Sequence, residues 1–363
     1  MTRNYSFLII DTSYPINNRN EKIISSLSTH FDGPCVNVVT WDKRNICESI
    51  PNNYRVYSKY CRPGNKIKKF TWIFEYKHFV KKCVDDLKPD VIIASHWDSL
   101  FCVPPKNNNS LVVYDNIDVP DGSTPVRYTE LFLEKISLSK ASLILHASRF
   151  FKELYKDIKT EQIVLENKPV FPIVKRDDEH NMPFVISFIG TLRYYETLTK
   201  LIDAIKGDKR YLLNFYGNGP DEDRLRSYCA GLDNVFFYGR YNYKDIIPFY
   251  EKSDLIWAVY PSKDFNVRYA ISNKFYESMF LGVPAVFADN TLLGDYVKEK
   301  GIGYTVNAYS SVSIKELLNE ISLNKDEKSS IRKNMYVQAC SESLWEEDFK
   351  IVSDKIKIYL DER

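Results

Sequence analysis

Short apolar runs recur along the chain, separated by longer stretches in which apolar residues return every three or four positions. The runs at 7–10, 36–39, 91–94, 111–114 and 143–145 are rich in Val, Ile and Leu and are of strand length. The periodic stretches near 19–29, 67–87, 127–140 and 148–157 predict helices between them. Continuous apolar strands alternating with amphipathic helices are the pattern of a parallel sheet covered on both faces.

The stretch "NKPVFPIVKRDDEHNMP", residues 167–183, then mixes prolines and charges without a period and predicts a linker. A second alternation follows it. Strands are expected at 184–189, 211–216, 235–238, 255–260 and 285–288, and helices from about 196, over 221–229, over 243–252 and within "AISNKFYESMFLGVP", with further helices to the end. The pattern therefore predicts an α/β protein of two doubly wound Rossmann-like domains, 1–170 and 171–342, with a last segment, 343–363. In such a pair the ligand is expected in a cleft between the C-terminal strand ends.

At 363 residues the chain is long enough for two domains of ordinary size, and 44% hydrophobic with 27% charged residues describes a globular protein. No apolar run reaches the ~18–20 residues of a spanning helix. The start "MTRNYSFLIID" leads into a strand without a signal-peptide shape, and the expected location is the cytoplasm. Seven scattered cysteines lack metal-ligand spacing and read as packing residues. The net charge is only +2, but residues 1–172 carry 24 Lys and Arg against 19 Asp and Glu, a basic excess that anticipates an anionic partner.

Candidate chemistry concentrates at strand exits. "FIGTLRYYE" places Arg193 between a strand and a helix start, suited either to phosphate oxygens or to pairing with Glu196. "NFYGNGPDEDRL" offers Gly219 in a tight turn but has Glu222 where a dinucleotide fingerprint needs a third glycine, which disfavours a nicotinamide enzyme. Ser272 or Asn273 can cap a helix whose first turns carry Lys274 and Glu277, so a cation and backbone N–H groups meet at one mouth. "VVYDNIDVPDG" puts Asp115 and Asp118 at a strand exit, as a base or as Asx-turn formers. His96 in "IIASHWDS" is placed to touch a substrate or to pack beside Trp97. No carboxylate, His or Cys cluster forms a metal site, and nothing favours nucleic acid.

Five segments in order, "ISFIGTLRYYETLTKLIDAI", "LLNFYGNGPDEDRL", "NVFFYGRYNYKDIIPFYEKSDLIWAVYP", "SNKFYESMFLGVPAVFAD" and "GDYVKEKGIGYTV", together resemble the C-terminal domain of GT-B glycosyltransferases of the family 4 (glycosyltransferase group 1) type. The resemblance implies a metal-independent enzyme of bacterial surface-polysaccharide synthesis, using a nucleotide-sugar donor such as a UDP- or GDP-sugar. The acceptor it implies is lipid-linked or polymeric. By position it implies that Glu277 receives the ribose hydroxyls, that Asn273, Lys274 and Arg193 face the diphosphate, and that Tyr241 lies in the base loop. Retaining members carry a first glutamate eight residues before Glu277, where this chain has Tyr269. That departure weakens retention and turns attention to Asp115 or Asp118 as an inverting base. A nonhydrolysing sugar-nucleotide epimerase and a noncatalytic partner subunit share the architecture and stand as alternatives.

The same resemblance leads us to expect a terminal helix in "SESLWEEDFKIVSDKIKIYL" that crosses back to the first domain, with Leu344, Phe349, Val352, Ile356 and Leu360 on one face. In residues 66–82, six lysines face one glutamate. Ile73, Tyr76 and Val80 form one apolar stripe, whereas Ile67, Phe70 and Phe74 lie beside Lys77 and Lys81. That second strip suits either the flank of a core face or peripheral contact with an anionic membrane.

Overall fold

In a computed structural model of the protein the described residues are 4–61, 66–105, 110–121, 124–176 and 182–362, with the side chains of 66–70 and 124 not described. Part of the expected linker, and the side chains of Ile67 and Phe70, therefore lie outside the described residues. Two compact units divide the chain: Met1–Asn167 with Trp345–Arg363, and Lys168–Leu344.

The first unit runs β1 (Ser6–Asp11), α1 (Asn18–His30), β2 (Cys35–Asp42), β3 (Tyr54–Ser58), α2 (Lys66–Leu87), β4 (Val91–Ser95), α3 (His96–Cys102), β5 (Leu111–Asn116), α4 (Thr124–Leu138), β6 (Leu143–His146), α5 (Phe151–Leu154) and β7 (Glu161–Val164). Its seven strands are all parallel, in the order β3-β2-β1-β4-β5-β6-β7. Strands β1, β4 and β5 are buried nearly throughout, which is why they read as unbroken apolar runs. The chain reverses its winding between β1 and β4, so loops diverge there and leave the strand ends open.

The second unit runs β8 (Phe184–Ile189), α6 (Tyr195–Ile205), β9 (Tyr211–Tyr216), α7 (Glu222–Tyr228), β10 (Val235–Gly239), α8 (Ile247–Glu251), β11 (Leu255–Ala258), α9 (Phe265–Tyr269), α10 (Asn273–Phe280), β12 (Ala285–Ala288), α11 (Leu292–Lys300), β13 (Tyr304–Val306), α12 (Ser311–Leu323) and α13 (Lys325–Ser341). Its parallel sheet has the order β10-β9-β8-β11-β12-β13, with the reversal between β8 and β11.

The last helix, α14 (Trp345–Asp361), belongs to the first unit. Trp345, Phe349, Val352, Ile356 and Leu360 join the core formed by β1, β4, β5, β6 and α1. Leu344, expected on that face, is 46% exposed, and Trp345 takes its place because the helix starts one residue later.

Two expected helices are shorter than their periodicity suggested. The segment 148–157 yields only α5, whose end is closed when the Gln162 amide donates to the carbonyls of Tyr155 and Ile158. The segment 243–252 breaks into a 3-10 turn, Tyr243–Asp245, and α8, because Pro248 has no N–H to continue a ladder and instead opens a new helix.

Candidate active site

In the second unit the winding reversal places the residues after β8 and after β11 side by side, and α10 starts against both. Gly190 follows β8 with φ +142, and a Cβ built on it would stand 3.0 Å from the Lys274 Nζ. A side chain there would push the ammonium aside, so glycine is what lets the lysine lie across the strand end. Lys274 is 7% exposed, and its Nζ donates to the Tyr260 hydroxyl at 2.7 Å and lies 5.1 Å from the centre of the Phe188 ring.

Ser272 caps α10, its hydroxyl accepting from the Lys274 backbone N–H at 3.3 Å. Asn273 is the exposed first residue of the helix. Glu277 sits one turn further, on the same side as Lys274, and is 5% exposed. The Tyr250 hydroxyl donates to Glu277 Oε2 at 2.6 Å, and Tyr243 hydrogen-bonds the same carboxylate. Burial and then the Glu277 charge hold the hydroxyls of Tyr243 and Tyr250 well above the ordinary tyrosine range, so both remain protonated donors. Tyr241 packs edge-on to Phe249 at 5.4 Å, and burial followed by the Glu277 charge raises its hydroxyl as well. A carboxylate held by two hydroxyls keeps acceptor capacity on its remaining lone pairs.

Arg193 is exposed, with its guanidinium 4.7 Å from the centre of the Tyr194 ring. Tyr194 adopts φ +71, an uncommon conformation for a residue with a side chain, and it precedes α6. The Tyr195 N–H is already taken by Asp221 Oδ2 at 3.0 Å, so the α6 start carries an internal carboxylate. The mouth that combines a buried cation with a hydroxyl cap is α10. At Gly219, in the expected turn, a Cβ would lie 2.3 Å from the Leu192 carbonyl oxygen, so this glycine permits two loops to touch.

In the first unit the equivalent reversal lies between β1 and β4. Asp11, ending β1, accepts from the Ser13 N–H and from the side-chain amides of Asn17 and Asn20. Asn20 in turn accepts from the Ser95 hydroxyl at 2.7 Å, tying the ends of β1 and β4 together. His96, next in the chain, is half-buried and holds φ +67. Strain at a non-glycine residue of this kind persists where its surroundings over-determine it.

Asp115 corrects one expectation. It is fully buried, and its two oxygens accept from Arg19 Nε and Nη2 at 2.7 to 3.0 Å. A carboxylate enclosed and clamped in this way cannot reach an acceptor hydroxyl, so its place is structural. Asp118, two residues beyond β5, is exposed. Sequence reasoning missed Arg19, Tyr243, Tyr250 and Tyr260. Among the described residues, no group of three or more His, Cys, Asp or Glu is arranged to hold a metal ion, and no helix is long and apolar enough to cross a membrane.

Residues 172–338 match the family model described as glycosyl transferases group 1. Among solved structures, sucrose-phosphate synthase from Thermosynechococcus elongatus is similar at 13% identity over 99% of each chain, with a TM-score of 0.74. Anabaena HepE, solved with UDP and glucose, is similar at 15% identity over 98% of this chain and 100% of its own, with a TM-score of 0.72. A putative UDP-N-acetylglucosamine 2-epimerase from Listeria monocytogenes aligns at 12% identity over 99% and 98%, with a TM-score of 0.67. At these identities the likeness establishes the fold. No curated protein sequence matches the chain. Two parallel Rossmann-like sheets of the GT-B kind, with a second unit that matches the glycosyl transferases group 1 model over residues 172–338, mark this chain as a glycosyltransferase.

Proposed function

We propose that the protein transfers a sugar from a UDP- or GDP-sugar to a hydroxyl of a lipid-linked or polysaccharide acceptor in surface-glycan synthesis. The observation that carries this reading is the pairing of Lys274 and Glu277 on one side of α10, at the β8–β11 reversal. Glu277 accepts from the ribose hydroxyls while Tyr250 and Tyr243 fix its orientation. Lys274, the first N–H groups of α10 with Asn273 and Ser272, and the Arg193 guanidinium take the diphosphate. Negative charge grows on that diphosphate as the glycosidic bond breaks, and preorganised cations and dipoles stabilise it without a metal ion. The UDP bound by HepE supports a nucleotide ligand of this class.

In this reading Asp118 accepts the acceptor proton and His96 lies against the sugar, giving inversion. Tyr269, where retaining relatives have glutamate, supports that choice; its ring packs on Phe265 at 5.0 Å. The same substitution favours, as a second reading, a subunit that binds donor without turning it over.

Peripheral membrane contact through the first unit completes the proposal. It is supported by Phe74 on α2, 50% exposed beside Lys77, and by Tyr128, Phe132 and Ile136, exposed at successive turns of α4 near Lys135. Ile73, Tyr76, Val80 and Val84 fill the buried side of α2, and Lys81 pairs with Asp85.

The test is incubation with UDP-, GDP- and dTDP-sugars, read by NMR. Slow release of free sugar and nucleoside diphosphate from one donor is the expected result. A C2-epimerised donor indicates an epimerase, and binding without turnover indicates the partner subunit.

A further inference from the structure

We infer that Tyr260 is a donor-contacting residue whose hydroxyl proton is directed at the leaving diphosphate; the inference rests on the donor-site reading above. Tyr260 lies two residues beyond β11, at the winding reversal, between Lys274 and Tyr194. Its oxygen accepts from the Lys274 Nζ at 2.7 Å and lies within hydrogen-bond reach of the Ser272 hydroxyl. An ammonium can only donate, so the phenol oxygen gives a lone pair to Lys274 and keeps its own proton to donate.

The groups around the hydroxyl define what it would meet. Lys274 approaches from α10, Arg193 from the β8–α6 loop, and the Tyr241 phenol lies beyond β10. Burial pushes the Tyr260 hydroxyl upward, but the Lys274 charge, the bonds from Lys274 and Ser272, and the Arg193 charge outweigh it and bring it below the ordinary value of 10.0. A phenol polarised by an ammonium and placed among cations is a strong donor toward an anion. Lys274 thus acts on the diphosphate twice, by its own charge and by turning the Tyr260 proton outward. No proton needs to leave Tyr260 for this; the hydrogen bond shortens as the phosphate oxygen gains charge.

The test is calorimetric titration of wild type and Tyr260→Phe with UDP, GDP, uridine and guanosine. The phenylalanine keeps the ring against Tyr194 and removes only the hydroxyl. For whichever diphosphate binds, Tyr260→Phe should weaken affinity by about ten- to a hundred-fold, the range of a hydrogen bond to a charged group, and leave the nucleoside unaffected. Wild-type affinity for the diphosphate should also fall as pH rises toward 10, earlier than in Tyr260→Phe. Equal diphosphate affinity of the two proteins at both pH 7 and the alkaline end overturns the inference, and so does an equal loss for diphosphate and nucleoside. A wild type that binds no nucleoside diphosphate overturns the donor-site reading itself, with this inference.

Discussion

Arg19 and Asp115 form a two-pronged ion pair with both side chains withdrawn from solvent, 2% and 0% exposed. The pair joins α1 to β5, and the guanidinium also lies 5.6 Å from the centre of the Trp345 ring on α14. Three elements distant in sequence are thereby held at one point of the first unit.

Asp115→Leu is expected to lower unfolding stability by about 3–5 kcal/mol, because it leaves a buried guanidinium without its counter-charge. The double variant Arg19→Met/Asp115→Leu should recover most of that loss. Denaturant unfolding of the three proteins checks this, and a double variant no better than the single one would show that the charge was not the cause.

His146 supplies a pH dependence. Its ring bridges the Asn116 amide at 3.2 Å and Gln162 Oε1 at 2.9 Å, so Nδ1 accepts, Nε2–H donates, and the ring is neutral. Burial first, then the Lys152 charge, lowers its proton affinity below the ordinary 6.5, against the opposing Gln162 bond and Asp115 charge. Below that value the unfolded chain takes up a proton that the folded chain refuses, so stability is lost as pH falls through 6.5 toward the folded value. Melting of wild type and His146→Gln between pH 7.5 and pH 5 should show the wild type losing stability faster. Parallel curves would contradict it.

Asp118 is the proposed base, and Asp118→Asn should cut turnover by about a hundred- to ten-thousand-fold with little change in donor KM. The product anomer should be inverted. An active Asp118→Asn enzyme giving retained product would remove the assignment.

The central strands were legible because burial on both faces makes them unbroken apolar runs, as in "FLII" and "VIIA". The edge strands β3 and β7 are half-exposed along their length, so "YRVYS" and "EQIV" carry no such signal. Helix α3 was missed because it opens at His96 with a left-handed backbone that no propensity predicts. Ser272, Lys274 and Glu277 were legible because one helix carries them at fixed spacing. Tyr243, Tyr250 and Tyr260 come from different elements and meet α10 only through the fold. Asp115 read as a candidate base because a strand-exit carboxylate looks the same whether it faces solvent or an arginine 96 residues away.

The most direct test of the donor site is calorimetric titration of wild type and Glu277→Gln with the nucleotide sugar that wild type binds. Glu277→Gln keeps the shape but replaces the charged acceptor that faces Tyr250 and, in the proposed site, the ribose hydroxyls, so binding should weaken by about 2–3 kcal/mol with the melting temperature nearly preserved. Binding as tight as wild type by a folded Glu277→Gln protein would contradict it.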